Sequence, residues 1–153
     1  MKRQKITIGS VLEINIENQY YVYAQILTKS ECVFFNFRSE ITISDLKLLD
    51  NSEVLFYLAI YNDVITKGKW LKVGKLPVRD NFKILPLNFI QDIQNTDNFE
   101  LYNPNTGEIV KATREKCEGL EYAAVWEANH VEDRIRDYYL GVSNVWVEQL
   151  KIK

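Results

Sequence analysis

Polar and apolar residues alternate over residues 11–17. Leu12, Ile14 and Ile16 fall on one side, and Glu13, Asn15 and Glu17 on the other. This period of two is the signature of a half-buried strand. Asn18-Gln19 breaks the alternation before residues 20–27, a run that is apolar or aromatic on both faces, so the two segments predict a β-hairpin with a short polar turn. Residues 32–37 are aromatic and β-favouring, and residues 54–61 form the continuous apolar run expected of a central buried strand. A sheet of at least four strands follows. Residues 44–50 are too few to form a stable helix unaided and predict a turn with a little helix.

Further on, Asn62-Asp63 punctuates the chain, and Gly68, Gly74 and Pro77 imply turns or bulges around a short strand containing Trp70 and Leu71. Residues 99–102 and 108–111 flank Asn103-Pro104-Asn105-Thr106-Gly107, a turn-rich connector that predicts a second hairpin. From residue 118 to residue 140 the period changes. Leu120, Ala124, Ala128, Val131, Ile135 and Tyr138 recur every three or four positions and predict one helix with an apolar stripe, ended at Gly141. Residues 145–152 predict a final strand. Strands followed by a segregated helix define an α+β fold: a twisted, mostly antiparallel sheet covered by one long helix in the C-terminal half. The first hairpins are compatible with an SH3-like half-barrel. No repeat, linker or low-complexity stretch divides residues 1–153, which predict a single domain.

Length and composition change this picture little. At 153 residues, with 46% hydrophobic and 26% charged residues, the chain can bury a core without disulfide, metal or cofactor. The basic start, Lys2-Arg3-Gln4-Lys5, leads into alternating residues and not the apolar stretch of an export signal. The most apolar window is too short for a membrane span. Cys32 and Cys117 are far apart and lack metal or redox spacing, which fits free thiols in the cytoplasm. The net charge of −2, without a dense basic patch, argues against nucleic acid as a partner.

Candidate chemistry is sparse. His130 is the only histidine and follows Glu127 by three residues, a spacing at which two side chains on a helix can meet and share a metal. A catalytic zinc site takes a third protein ligand, and no spacing supplies one. Signatures of serine hydrolases, P-loop enzymes and dinucleotide enzymes are missing. The mixed charges of Glu127, Glu132, Asp133, Arg134, Arg136 and Asp137 predict either a solvated helix face or a face that recognises a charged partner. Tyr21 and Tyr23 project from one side of their strand and are candidate interface anchors. Trp70, between Gly68 and Gly74, is a candidate binding ridge. The pattern favours a protein-binding module over an enzyme.

Taken in order, Gly9-Ser10-Val11, the tyrosine-rich second strand, Phe35-Asn36, Gly68-x-Trp70-x-x-x-Gly74-x-x-Pro77, and Glu132-x-Arg134-Ile135-Arg136-Asp137-Tyr138-x-x-Gly141 with Trp146 resemble the immunity protein 26 family of bacterial polymorphic toxin systems. The resemblance spans nearly the whole chain. It implies a cytoplasmic antidote that binds and blocks a cognate toxin domain. Tyr21, Tyr23, Trp70, Glu127, Glu132, Asp133 and Asp137 are then candidate toxin contacts, the acids being natural plugs for a basic cleft. Gly9, Gly68, Gly74, Pro77, Arg134, Gly141 and Trp146 are the structural residues of the pattern. The resemblance also implies acids after the first glycine and after the aromatic at position 35. Ser10 and Asn36 stand there instead, so a role that needs those acids is not carried by them. A small metal-dependent hydrolase of the phosphotriesterase type is the second expectation, and it rests on Glu127 and His130. No cofactor is implied.

Overall fold

A computed structural model describes residues 2–153. Strands β1 (Ser10–Ile16) and β2 (Tyr20–Ile26) pair antiparallel, with Leu12 opposite Ala24 and Ile14 opposite Val22. The Gln19 N–H donates to the Ile16 carbonyl at 2.9 Å. The central turn residues, Glu17 and Asn18, have φ of 51° and 60°. This left-handed pair matches the twist of the flanking strands. Asparagine tolerates the conformation, and the Asn15 side chain secures it by accepting from the Asn18 N–H at 2.8 Å. Glutamate tolerates it less well, which makes Glu17 a strained residue at the hairpin tip.

The hairpin lies within a six-stranded sheet of order β10-β4-β3-β2-β1-β5, completed by β3 (Glu31–Ser39), β4 (Val54–Ile60), β5 (Leu71–Lys75) and the two-residue β10 (Val125–Trp126). Within this sheet β10 runs parallel to β4 and the other described pairs are antiparallel. Between β1 and β5 the register shifts at Val11/Leu12, opposite Gly74, in the segment whose glycines predicted a bulge. One face of the sheet carries Leu12, Ile14, Val22, Ala24, Phe34, Phe56 and Leu58 against helices α1 (Asn62–Thr66) and α3 (Ala128–Leu140). The other carries Val11, Tyr23, Val33 and Phe35 beneath Leu49, Phe82 and Leu85 from the connecting loops. Complete burial of each large apolar side chain contributes about 1.5–3 kcal/mol.

A smaller sheet of order β8-β7-β6-β9 comprises β6 (Asn88–Gln91), β7 (Phe99–Tyr102), β8 (Ile109–Ala112) and β9 (Glu121–Tyr122). The β7–β8 pair is the second predicted hairpin, with Leu101 opposite Val110. Phe89, Phe99 and Cys117 form its buried centre, Cys117 coming from α2 (Arg114–Cys117). Neither sheet closes into a barrel.

Two predicted elements differ in the structure. Residues 118–127 are not helical, although Leu120 and Ala124 fit the helical period. Gly119 takes φ of 80°, the Ala123 N–H donates to the Phe89 carbonyl, and the Trp126 carbonyl accepts from the Tyr61 N–H. Bonds to both sheets satisfy the backbone that a helix would otherwise pair internally. The tail is not a strand either: α4 (Val145–Gln149) replaces it. Asn144 caps this helix by accepting from the Val147 N–H at 3.0 Å, which overrides the β preference of the valines. Helix α3 stops as predicted. Gly141 is left-handed (φ 71°), its N–H donates to the Tyr138 carbonyl, and the Val142 N–H donates to the Asp137 carbonyl, a Schellman closure. Ala128, Val131 and Ile135 are buried, but Tyr138 faces solvent.

Candidate functional site

Helix α3 carries the predicted acids, and the fold ties most of them to neighbours. Arg136 donates from Nε to Asp137 Oδ1 at 3.0 Å, and from Nη1 to Asp133 Oδ1 at 3.1 Å and to Glu17 Oε1 at 3.2 Å. The hydrogen bond to Asp137 leads the effects that strengthen the Arg136 guanidinium's hold on its proton. Asp133 Oδ2 also accepts from Trp146 Nε1 at 3.1 Å, and Asp137 Oδ2 from Asn144 Nδ2 at 2.9 Å. Burial pushes the Asp137 carboxyl up, but the bonds from Asn144 and Arg136 outweigh it and hold the group below its ordinary range. Glu132 accepts from Trp70 Nε1 at 2.9 Å; burial raises its carboxyl above the usual value despite that bond. Glu127 is the openly exposed acid, 3.8 Å from His130 Nε2.

His130 stacks on Trp146, ring centroids 3.6 Å apart. Helix α3 therefore brings Glu127 and His130 together as the spacing allows. Among the described residues, however, no group of three or more histidine, cysteine, aspartate or glutamate side chains could hold a metal. Cys32 and Cys117 are free and buried, and burial pushes both thiols up, which disfavours the reactive thiolate. None of the described helices is long and apolar enough to cross a membrane.

Trp70 and Tyr23 lie in the core. Trp70 is 1% exposed and meets Phe34 edge-on at 5.7 Å, so it is not a ridge presented to a partner. Tyr23 is 0% exposed; its hydroxyl donates to Glu13 at 2.8 Å and accepts from the Ile43 N–H at 3.1 Å. Tyr21 is half-buried and packs against the loop-covered side of the large sheet. Strand alternation placed Tyr21 and Tyr23 on one face, but not the loop that covers it.

The structural residues of the pattern have clear tasks. Arg134 forms a two-pronged ion pair with Glu121 at 2.9 and 2.7 Å, while its guanidinium lies 4.1 Å from the Phe56 ring centroid and 5.2 Å from that of Trp126. It thereby joins α3 to both sheets. At Gly68 (φ 73°) an added Cβ would lie 2.8 Å from the Lys2 carbonyl oxygen, so a side chain is excluded by both backbone and space. Gly9 precedes β1, its carbonyl accepting from the Leu76 N–H, and Gly74 lies within β5 opposite Val11, three residues before Pro77.

Where the β1–β2 hairpin tip, the end of β3 and the last turn of α3 converge, they enclose an open cleft of about 580 Å³. Glu17, Gln19, Tyr20, Arg38, Arg136 and Tyr139 line it. Tyr20 and Tyr139 meet edge-on at 5.7 Å, and the Arg38 guanidinium lies 5.2 Å from one ring centroid and 4.8 Å from the other. Asn36, standing where the resemblance implied an acid, accepts from the Tyr139 hydroxyl at 2.9 Å and donates to that of Tyr138 at 3.3 Å. Burial raises the Tyr20 phenol and pushes that of Tyr139 up to about 12, so both rings are neutral around the cation at physiological pH. Tyr20, Arg38 and Tyr139 were not candidates from sequence. They come from three distant segments, and no local spacing connects them.

The cleft thus gathers a cation, aromatic rings and hydrogen-bonding groups from three elements onto one surface. The model of the family described as Immunity protein 26 matches residues 7–100, which hold β1 to β6 and the first half of β7, and the chain belongs to that family. Proteins of this family are immunity proteins that neutralise toxins and are in general not enzymes. No curated protein and no solved structure matches the chain.

Proposed function

We propose that this chain neutralises its cognate toxin by binding it directly, in the cytoplasm, with residues 1–153 acting as one domain. The family match over residues 7–100 is the observation that carries this reading. The charged and aromatic face formed by α3 and the β1–β2 hairpin tip supports contact as the mode of action. Of the residues named from sequence, Glu127 and the accessible edges of Glu132 and Asp133 supply direct contacts on this face, whereas Tyr21 lies on the loop-covered side of the sheet. Asp137 and Trp70 act from beneath by holding the face in shape, and Tyr23 fixes the far side of the sheet.

The test pairs this chain with the C-terminal domain of the large protein encoded immediately upstream. Co-expression is expected to relieve the toxicity of that domain, and the two proteins are expected to co-purify in a fixed ratio. Rescue without a complex would overturn direct binding, while toxicity without rescue would overturn the pairing.

A further inference from the structure

Arg38 and Arg136 share the cleft but differ in compensation. Arg136 contacts the carboxylates of Glu17, Asp133 and Asp137. Among the described residues no carboxylate lies within ion-pair distance of Arg38, whose side chain is exposed on β3 opposite Val22. Its guanidinium is nevertheless held in place by the Tyr20 and Tyr139 rings. Tyr139 is tied in turn to Asn36. A guanidinium held this way loses little freedom when it accepts a partner, and arginine framed by tyrosine is the composition of interface hot spots.

We infer that Arg38 is the anchor of the toxin interface and receives a carboxylate side chain of the toxin between Tyr20 and Tyr139. This rests on the toxin-binding reading above and specifies its contact. The planar fork of the guanidinium matches a carboxylate in two parallel hydrogen bonds. Glu17 and Glu40 also line the cleft. Their charge disfavours a multiply charged phosphate more than a single carboxylate delivered by a docked protein surface. The strained Glu17 accepts from Arg136 and so ties the hairpin tip to the helix at the edge of the cleft.

The test measures calorimetric affinity of the full chain for the same toxin domain, comparing wild type with Arg38→Ala, Arg38→Lys and Arg38→Glu, and with Lys111→Ala on β8 as a distant charge control. Arg38→Ala is expected to weaken binding roughly 30-fold or more. Lysine should recover part of the loss, glutamate should deepen it, and Lys111→Ala should match wild type. Thermal melts should agree across the series because Arg38 is exposed, which separates lost contact from lost fold. Wild-type binding that survives Arg38→Ala unchanged would overturn this assignment and leave the direct-binding reading intact. Failure of the wild type to bind would overturn both. Calorimetric binding of inorganic phosphate to the free wild-type chain that is lost in Arg38→Ala, together with a toxin affinity unchanged by Arg38→Ala, would assign the cleft to a phosphate and overturn the carboxylate.

Discussion

The two sheets of this protein are built from similar residues but differ in what covers them. In the larger sheet β2 and β3 are buried on both faces, under α3 on one side and under the loops carrying Leu49 and Phe82 on the other. In the smaller sheet Phe89, Phe99 and Cys117 are the fully buried centre, while β8 is an edge strand whose Ile109 and Val110 stand about half exposed. Cooperative stability therefore concentrates in the larger sheet, and the smaller one depends on its attachments. One such attachment is Arg134, which reaches Glu121 in β9 while packing on Phe56 of β4. The proposed binding cleft belongs to the larger sheet and α3, which gives it the more rigid of the two frames.

The largest effect that sharpens this contrast is expected at Trp70. Truncation in Trp70→Ala should destabilise the whole fold by about 3–5 kcal/mol in urea unfolding. Phe99→Ala should instead speed amide exchange in β6 to β8 while β1 to β4 keep wild-type protection, and equal loss in both sheets would break the comparison. Next in size is Arg134→Ala, which should cost about 1–3 kcal/mol. That is less than the loss of a wholly buried pair, because Glu121 is partly open to water. Exchange should rise first in β6 and β9.

The smallest effect is one of sign. Burial raises the Glu132 carboxyl above its ordinary value of 4.5, so the folded state holds this proton more tightly than the unfolded chain. Its contribution to stability therefore grows as pH falls through the folded value towards 4.5 and weakens as pH rises. Glu132→Gln retains an acceptor for Trp70 Nε1 without the desolvated charge. It should be at least as stable as wild type at pH 7, with the difference shrinking at pH 4. A large loss at pH 7 would show that the charge itself supports the Trp70 contact.

Much of the larger sheet was legible because its cues are local. The alternation of residues 11–17 set the β1 face, and Asn18 marked the hairpin turn. Gly107 and its neighbours located the β7–β8 turn, and Gly141 marked the end of α3. The misread segments follow from the same dependence on local cues. Residues 118–127 show a helical period but donate and accept backbone bonds with β6 and the end of β4, and residues 145–149 show a strand-like pattern that the Asn144 cap turns into a helix. At the site, the α3 acids were visible as a cluster. Their engagement by Arg136, Trp146 and Trp70 was not, since those bonds join residues that only the packing of α3 on its neighbours brings together.

What the sequence determined by itself was β1 to β5, the β7–β8 hairpin, the α+β class, the helix stop and the family pattern, all of which follow from residue preferences over a few positions. Tertiary structure alone decided that Trp70 and Tyr23 face inward, that three acids of α3 are bonded within the fold, and that Tyr20, Arg38 and Tyr139 meet in one cleft. The physical reason is that burial and charge pairing depend on which distant segments come to lie against one another, and that becomes defined only when α3 docks on the sheet.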